Sequence, residues 1–207
     1  LKAAGFPFAV ANHGVGGSTA DAWANQFPNA LPDAVSANPD AQWVWLSIGG
    51  NDMFGHYAAG QGGQTAADND ANIRKMLDAL FAVHPTIRVV MMGYDFVNFE
   101  QSVECIQTAF LYFGPTSTPE VNAHMQSGVL DVQAAIAADY PNVHFVTTVP
   151  GTLQKAAGTV GAPNALLPSP AKYMSDCIHP TSTGYRLILD ALVADYWGGP
   201  KPTVTLT

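Results

Sequence analysis

An alternation constrains this chain more than any other feature. Short apolar runs that close at Gly or Pro are separated by helix-length segments. The runs are "FPFAVANHG" (6–14), "QWVWLSIGG" (42–50), "IRVVMMGY" (87–94) and "NVHFVTTV" (142–149). All four read as strands, and their near-continuous apolar character predicts a parallel sheet covered on both faces. Between and after them lie "STADAWANQFPNALPDAV", "TAADNDANIRKMLDALFAVHP", "TPEVNAHMQSGVLDVQAAIAADYP" and "TSTGYRLILDALVADYW". In the second of these, Ile73, Met76, Leu77, Leu80 and Phe81 recur at helical spacing, with Pro85 just beyond the end. Strand then helix, repeated, is the α/β pattern, whose right-handed crossovers gather ligand sites at the carboxyl ends of the strands. Trp43 and Trp45 alternate on the second run and are expected in the core.

A chain of 207 residues suits one domain spanning 1–207, with 198–207, "GGPKPTVTLT", as a tail, a linker or a final short strand. The balance of 8 Lys plus Arg against 16 Asp plus Glu gives a net charge of −8. With no basic cluster, this argues against nucleic acid and against an anionic membrane patch. No apolar run approaches the roughly 20 residues of a membrane span, and no signal peptide is evident. Only 12% of residues are charged and the remaining polar ones favour Ser, Thr, Asn and Gln, a composition suited to a secreted or periplasmic protein. Cys105 and Cys177 are either one disulfide of an oxidising compartment or two buried thiols.

Three loops at expected strand ends carry chemistry. In "SIGGND" two glycines turn the chain and present Asn51, whose amide can donate to a developing oxyanion; Asn-Asp after Gly-Gly is also ordinary turn chemistry. In "HGVGGSTADAW", Gly17 sits where a strand turns into a helix, with Ser18 or Thr19 as its cap, so backbone N–H groups can approach a ligand. A phosphate cradle fits less well, because no Lys follows. In "SDCIHPTSTGY", Asp176 three residues before His179 can fix the imidazole tautomer and leave Nε2 as a base, or can simply cap backbone amides. The aromatic loops Tyr94–Phe99 and Met53–Tyr57 either line a pocket or close the core. His13, His56, His84, His124 and His144 form no metal-binding spacing, and no cofactor or metal is called for.

Taken in order, the glycine loop, "GGND" and "DxxHP" resemble the signature blocks of the SGNH, or GDSL-type, hydrolases over roughly Phe6 to Trp197. The resemblance implies a three-layer α/β/α sandwich with a mainly parallel, flavodoxin-like sheet. It implies His179 as base, Asp176 as its orienting partner, and an oxyanion hole of the Gly17 backbone N–H and the Asn51 amide. A Cys105–Cys177 bridge would hold the Asp-His loop against its neighbour.

The family's first block, a strand followed by Gly-Asp-Ser, is absent. The leading expectation is an upstream segment, ahead of Leu1, that carries the serine and the first strand. A second makes Ser18 a degenerate nucleophile, and a third makes "PTVTLT" a permuted strand. The implied function is serine-dependent hydrolysis of carboxylic esters through an acyl-enzyme, on short acyl or acetyl esters of small molecules or polysaccharides, since nothing reads as an interfacial lid. The rivals are a lysophospholipase, thioesterase or acyltransferase on the same residues, and a non-catalytic module that has lost its nucleophile.

Overall fold

A computed structural model describes residues 9–56, 62–159 and 166–198. Three strands form one parallel sheet: β1 (Trp43–Leu46), β2 (Arg88–Met91) and β3 (Val143–Phe145), in the order β1-β2-β3. The register pairs Leu46 with Met91 and Met91 with Phe145, so the three strands end level.

Alternation along β2 builds the layers. Val89 and Met91 point to one face, where α3 (Gly62–Val83) and α6 (Asp131–Asp139) bring Ile73, Met76, Leu77, Leu80 and Ile136 against them. Val90 points to the other face, onto Ile188, Leu192 and Val193 of α8 (Ser182–Trp197) and Leu153 of α7 (Thr152–Ala156). Period-two strands between period-3.6 helices therefore give the expected three-layer sandwich. The two crossovers lay α3 and α6 on the same face, which carries the strand order steadily in one direction.

The remaining helices are α1 (Ala30–Ser36), α2 (Asp52–His56), α4 (Val103–Phe113) and α5 (Thr118–Met125). Ser117 and Glu120 close a capping box at the start of α5. A π-helical turn, Gln126–Leu130, joins α5 to α6, so the long third segment is one continuous helical rod from 118 to 139. The first segment is also broken: a π-helical turn at Ala22–Gln26 ends at Phe27, Pro28 interrupts, and α1 begins at Ala30.

Two sequence expectations need correcting. Residues 9–14 of "FPFAVANHG" form no strand and are exposed, Val10 among them; residues 6–8 lie outside the described part. A strand needs a neighbour for its N–H and C=O groups, and among the described residues only β2 lies beside β1. Trp45 is 43% exposed and Trp43 only partly buried, because the face of β1 that carries Trp45 is thinly covered. Of the tail, 199–207, including "PTVTLT", lies outside the described residues. No described helix is long and apolar enough to cross a membrane.

Candidate functional site

The loop that leads into α8 is stitched at its base. Met174 pairs with Pro180, and Ser175 donates to the His179 carbonyl through both its N–H and its hydroxyl, each at 2.8 Å. Gly184 is required where α8 starts, since a Cβ there would lie 2.5 Å from the Tyr173 carbonyl oxygen. Inside the loop, Asp176 Oδ1 accepts the backbone N–H groups of Ile178 (2.8 Å) and His179 (2.7 Å), while His179 Nδ1 donates to Oδ2 at 2.9 Å. Capping and imidazole orientation are thus done by one carboxylate. Burial pushes Asp176 up, but the N–H bonds from His179 and Ile178 and the imidazole outweigh it and hold the carboxyl below its ordinary range. An ionised carboxylate only accepts, so Nδ1 is the protonated nitrogen facing Asp176, and in the neutral imidazole this arrangement leaves the lone pair on Nε2. The His179 side chain is 64% exposed and Nε2 has no partner among the described residues.

Three long-range ties place this loop. Cys105 and Cys177 form a disulfide, Asn98 N–H donates to the Cys177 carbonyl at 2.8 Å, and Cys177 and Ile178 pack on a cluster containing Met53, Phe99, Phe113 and Val121. Met53 belongs to α2, the helix that starts immediately after Asn51. The His loop and the Asn turn therefore share one apolar foundation. Tyr94 packs on the same cluster and is hydrogen-bonded to Ser47 and to the Gly50 backbone, and burial chiefly, with the Asp52 carboxylate adding to it, pushes its hydroxyl pKa up.

The Asn turn is held from beneath. Gly49 has φ +96°, a conformation that favours glycine, and a Cβ on Gly50 would stand 2.8 Å from Tyr94 Cζ. The Ile48 carbonyl accepts Gln133 Nε2 at 2.8 Å, and Asn69 Nδ2 donates to the carbonyls of Gly49 (3.2 Å) and Gly128 (2.9 Å). Asn69 and Gln133 are wholly buried. On this base Asn51 is exposed, with one amide N–H donating to the Ser18 carbonyl at 3.0 Å and the other free of protein partners among the described residues.

Asp52 completes the clasp. Its carboxylate accepts the N–H groups of Ala20 (2.9 Å) and Asp21 (3.2 Å), and burial chiefly, with Asp21 adding to it, pushes its pKa up. Asn51 and Asp52 thus fasten the glycine block, in which Gly17 has φ +78° and open space around it. Thr19, not Ser18, caps the helix, through Ala22 N–H at 3.0 Å.

Ser18 is occupied differently. Its hydroxyl donates to the Val15 carbonyl (2.8 Å) and accepts Trp23 Nε1 (2.9 Å), and no hydrogen bond joins it to His179. The aromatic loop residues Phe96, Phe99 and Met53 are buried and close the core. His144 Nε2 and Asp195 Oδ1, 2.9 Å apart, make a second His-Asp pair, which fastens β3 to α8 away from the loops just described.

Sequence reasoning overlooked Asp52, Asn69, Gln133 and Asp95. Asp95, pushed up to about 6 by burial, accepts N–H groups of Phe96, Gly151 and Leu153 and so anchors the start of α7. A signal for Asn69 and Gln133 exists: each is polar at a position within an apolar helical stripe, Asn69 with Ile73, Met76 and Leu80, Gln133 with Val129, Val132 and Ile136.

A parallel α/β sheet thus carries a His-Asp pair and an Asn amide on loops beyond its strands, above one apolar cluster. The pattern of the GDSL-like Lipase/Acylhydrolase family matches residues 1–187, and the chain belongs to that family of ester hydrolases. None of the curated proteins matches by sequence. Among solved structures, it is similar to one described as a candidate platelet activating factor from Streptococcus pneumonia. The TM-score is 0.58 at 18% identity, covering 93% of this chain and 74% of that one. It is also similar to an acetylxylan esterase from Geobacillus stearothermophilus, in a catalytic mutant with an aspartate replaced by alanine. There the TM-score is 0.53 at 16% identity, over 90% and 71% of the two chains. At these identities the likeness is one of fold.

Proposed function

We propose that this protein hydrolyses carboxylic esters by serine attack and an acyl-enzyme, with His179 as the base that becomes the acid. Asp176 fixes the imidazole, and the Gly17 N–H and the Asn51 amide hold the oxyanion. The observation that carries the reading is the Asp176–His179 geometry: Nδ1 is committed to the carboxylate and Nε2 faces outward. The free N–H of Asn51, on a turn clasped to the glycine block, supports the oxyanion assignment. Short acyl esters, acetyl esters of carbohydrates among them, are the proposed substrates, in keeping with the acetylxylan esterase likeness. Extracellular or periplasmic residence agrees with the disulfide.

The nucleophile is a serine within reach of His179 Nε2. Fluorophosphonate labelling with peptide mapping, run beside His179→Ala, tests the whole scheme. A labelled serine whose label is lost in the variant supports it. An adduct on Ser18 that depends on His179 would make Ser18 the nucleophile after a rearrangement of its loop. No adduct on any serine would overturn the catalytic reading and favour a binding module.

A further inference from the structure

Helix α4 is apolar on two faces and covered on one. Cys105, Ala109 and Phe113, at i, i+4 and i+8, are buried in the cluster beneath the His loop. On the outer side, Val103 (65% exposed), Ile106 (55%) and Phe110 (64%), at i, i+3 and i+7, form a stripe, flanked by Leu111 (75%). Only Glu104, Gln107 and Thr108 interrupt the apolar sequence "VECIQTAFLYF". A helix hydrophobic all round is ordinarily buried all round, and a contiguous exposed patch marks an interaction surface. Through Cys105 this helix is covalently joined to Cys177, two residues from His179.

Charge and area select the occupant. No Lys or Arg occurs between Arg88 and Lys155, whereas Glu100, Glu104 and Glu120 are exposed near the two ends of α4. An anionic surface is therefore repelled, and a surface whose outermost groups are cationic within a neutral whole is accommodated. A second copy of the chain is a poor match, because an 11-residue helix is only about 16 Å long and a stable dimer takes about 800 Å² from each partner. An apolar stripe of this size is suited to lying in the plane of a lipid–water interface.

We infer that the outer face of α4 seats the protein on a zwitterionic lipid surface, with Val103, Ile106, Phe110 and Leu111 entering the acyl boundary and the His179 loop held beside it. That surface-borne esters are thereby brought to the site rests on the esterase reading; the seating does not. A short acyl group remains compatible with it, since the stripe governs what the protein docks on, not which acyl group is cleaved.

The test is co-sedimentation of the full chain with phosphatidylcholine vesicles. Binding is expected, falling at least tenfold in Phe110→Ser/Leu111→Ser, and falling as phosphatidylglycerol replaces phosphatidylcholine. Phe27→Ser, which removes an equally exposed phenylalanine elsewhere, serves as control and is expected to bind as the parent does. Unchanged thermal unfolding of the double variant shows that the loss is one of surface. Absence of binding to phosphatidylcholine, indifference to the double variant, or tighter binding to the anionic vesicles would each overturn the inference. So would a concentration-dependent dimer abolished by the same variant, which would assign the stripe to a second copy. Ester hydrolysis is not read in this assay, so a failed catalytic scheme and a failed seating are told apart.

Discussion

The two halves of the site are built by opposite means. The His loop, 174–181, is organised largely by its own residues: a carboxylate three positions before the imidazole, a two-residue bridge at its base, and a disulfide from its middle to α4. The segment 9–21, which carries the glycine loop, has few bonds of its own and is exposed over most of its length; it is fixed by Asn51 and Asp52, more than thirty positions away. The His179 side is thus a local device tied down, and the Asn51 side is an exposed segment clasped by a turn distant in sequence. Perturbations should separate the two.

The largest expected effects are on activity. His179→Ala should lower kcat/KM for p-nitrophenyl acetate by roughly 10⁴–10⁶-fold. Asn51→Ala should lower it by roughly 10²–10³-fold, the range for one oxyanion donor. Because Asn51 also clasps Ser18, its removal should loosen 9–19 in hydrogen exchange, whereas His179→Ala should leave exchange there unchanged. Equal exchange effects would mean that the halves are not independent.

Next in size is the disulfide. Cys105 and Cys177 are 72 positions apart, and loss of so long a closed loop costs about 4.4 kcal/mol on chain-entropy grounds. Cys105→Ser, compared with the oxidised parent in urea unfolding, should show that loss. Residual activity should fall through misplacement of the His loop while the Asn turn keeps its exchange protection.

This contrast also governs how much could be read from sequence. The Asp176–His179 pair was legible because its partners lie within one loop, and β1, β2 and β3 were legible because both faces of each are apolar or nearly so. The 6–14 run has the same composition, yet its described part is irregular, since a strand is made by its neighbour as much as by its residues. Helix α4 has no counterpart among the helix-length segments read from the sequence, because an apolar sequence without a polar face has no period to detect. Asp52 was overlooked because its partners, Ala20 and Asp21, offer only backbone N–H groups, which carry no sequence signature.

A smaller effect should appear on Gly50→Ala. The added Cβ meets the Tyr94 ring at 2.8 Å, in a half-buried setting, and overpacking of this kind costs about 1–3 kcal/mol. Tyr94→Leu should relieve part of that cost, so the double variant should be more stable than the sum of the singles predicts. Strict additivity in thermal unfolding would show that the turn yields elsewhere than at Tyr94.

The smallest effects are in pH dependence, where the two halves should move in opposite directions. Asp176 is held below the ordinary aspartate value of 3.8, so the stability it contributes is fully present above that value and is lost as pH falls through its lowered folded pKa. Asp52 is raised, chiefly by burial, so the folded state binds its proton more tightly than the unfolded state does. Its contribution is greatest below 3.8 and declines as pH rises through the raised folded pKa. The stability advantage of the parent over Asp176→Asn should therefore shrink on acidification below about 4, whereas its advantage over Asp52→Asn should grow as pH falls from neutrality towards that point. Slopes of the same sign for both variants would show that the clasp and the His loop share one electrostatic environment, and that the division between them is only one of sequence.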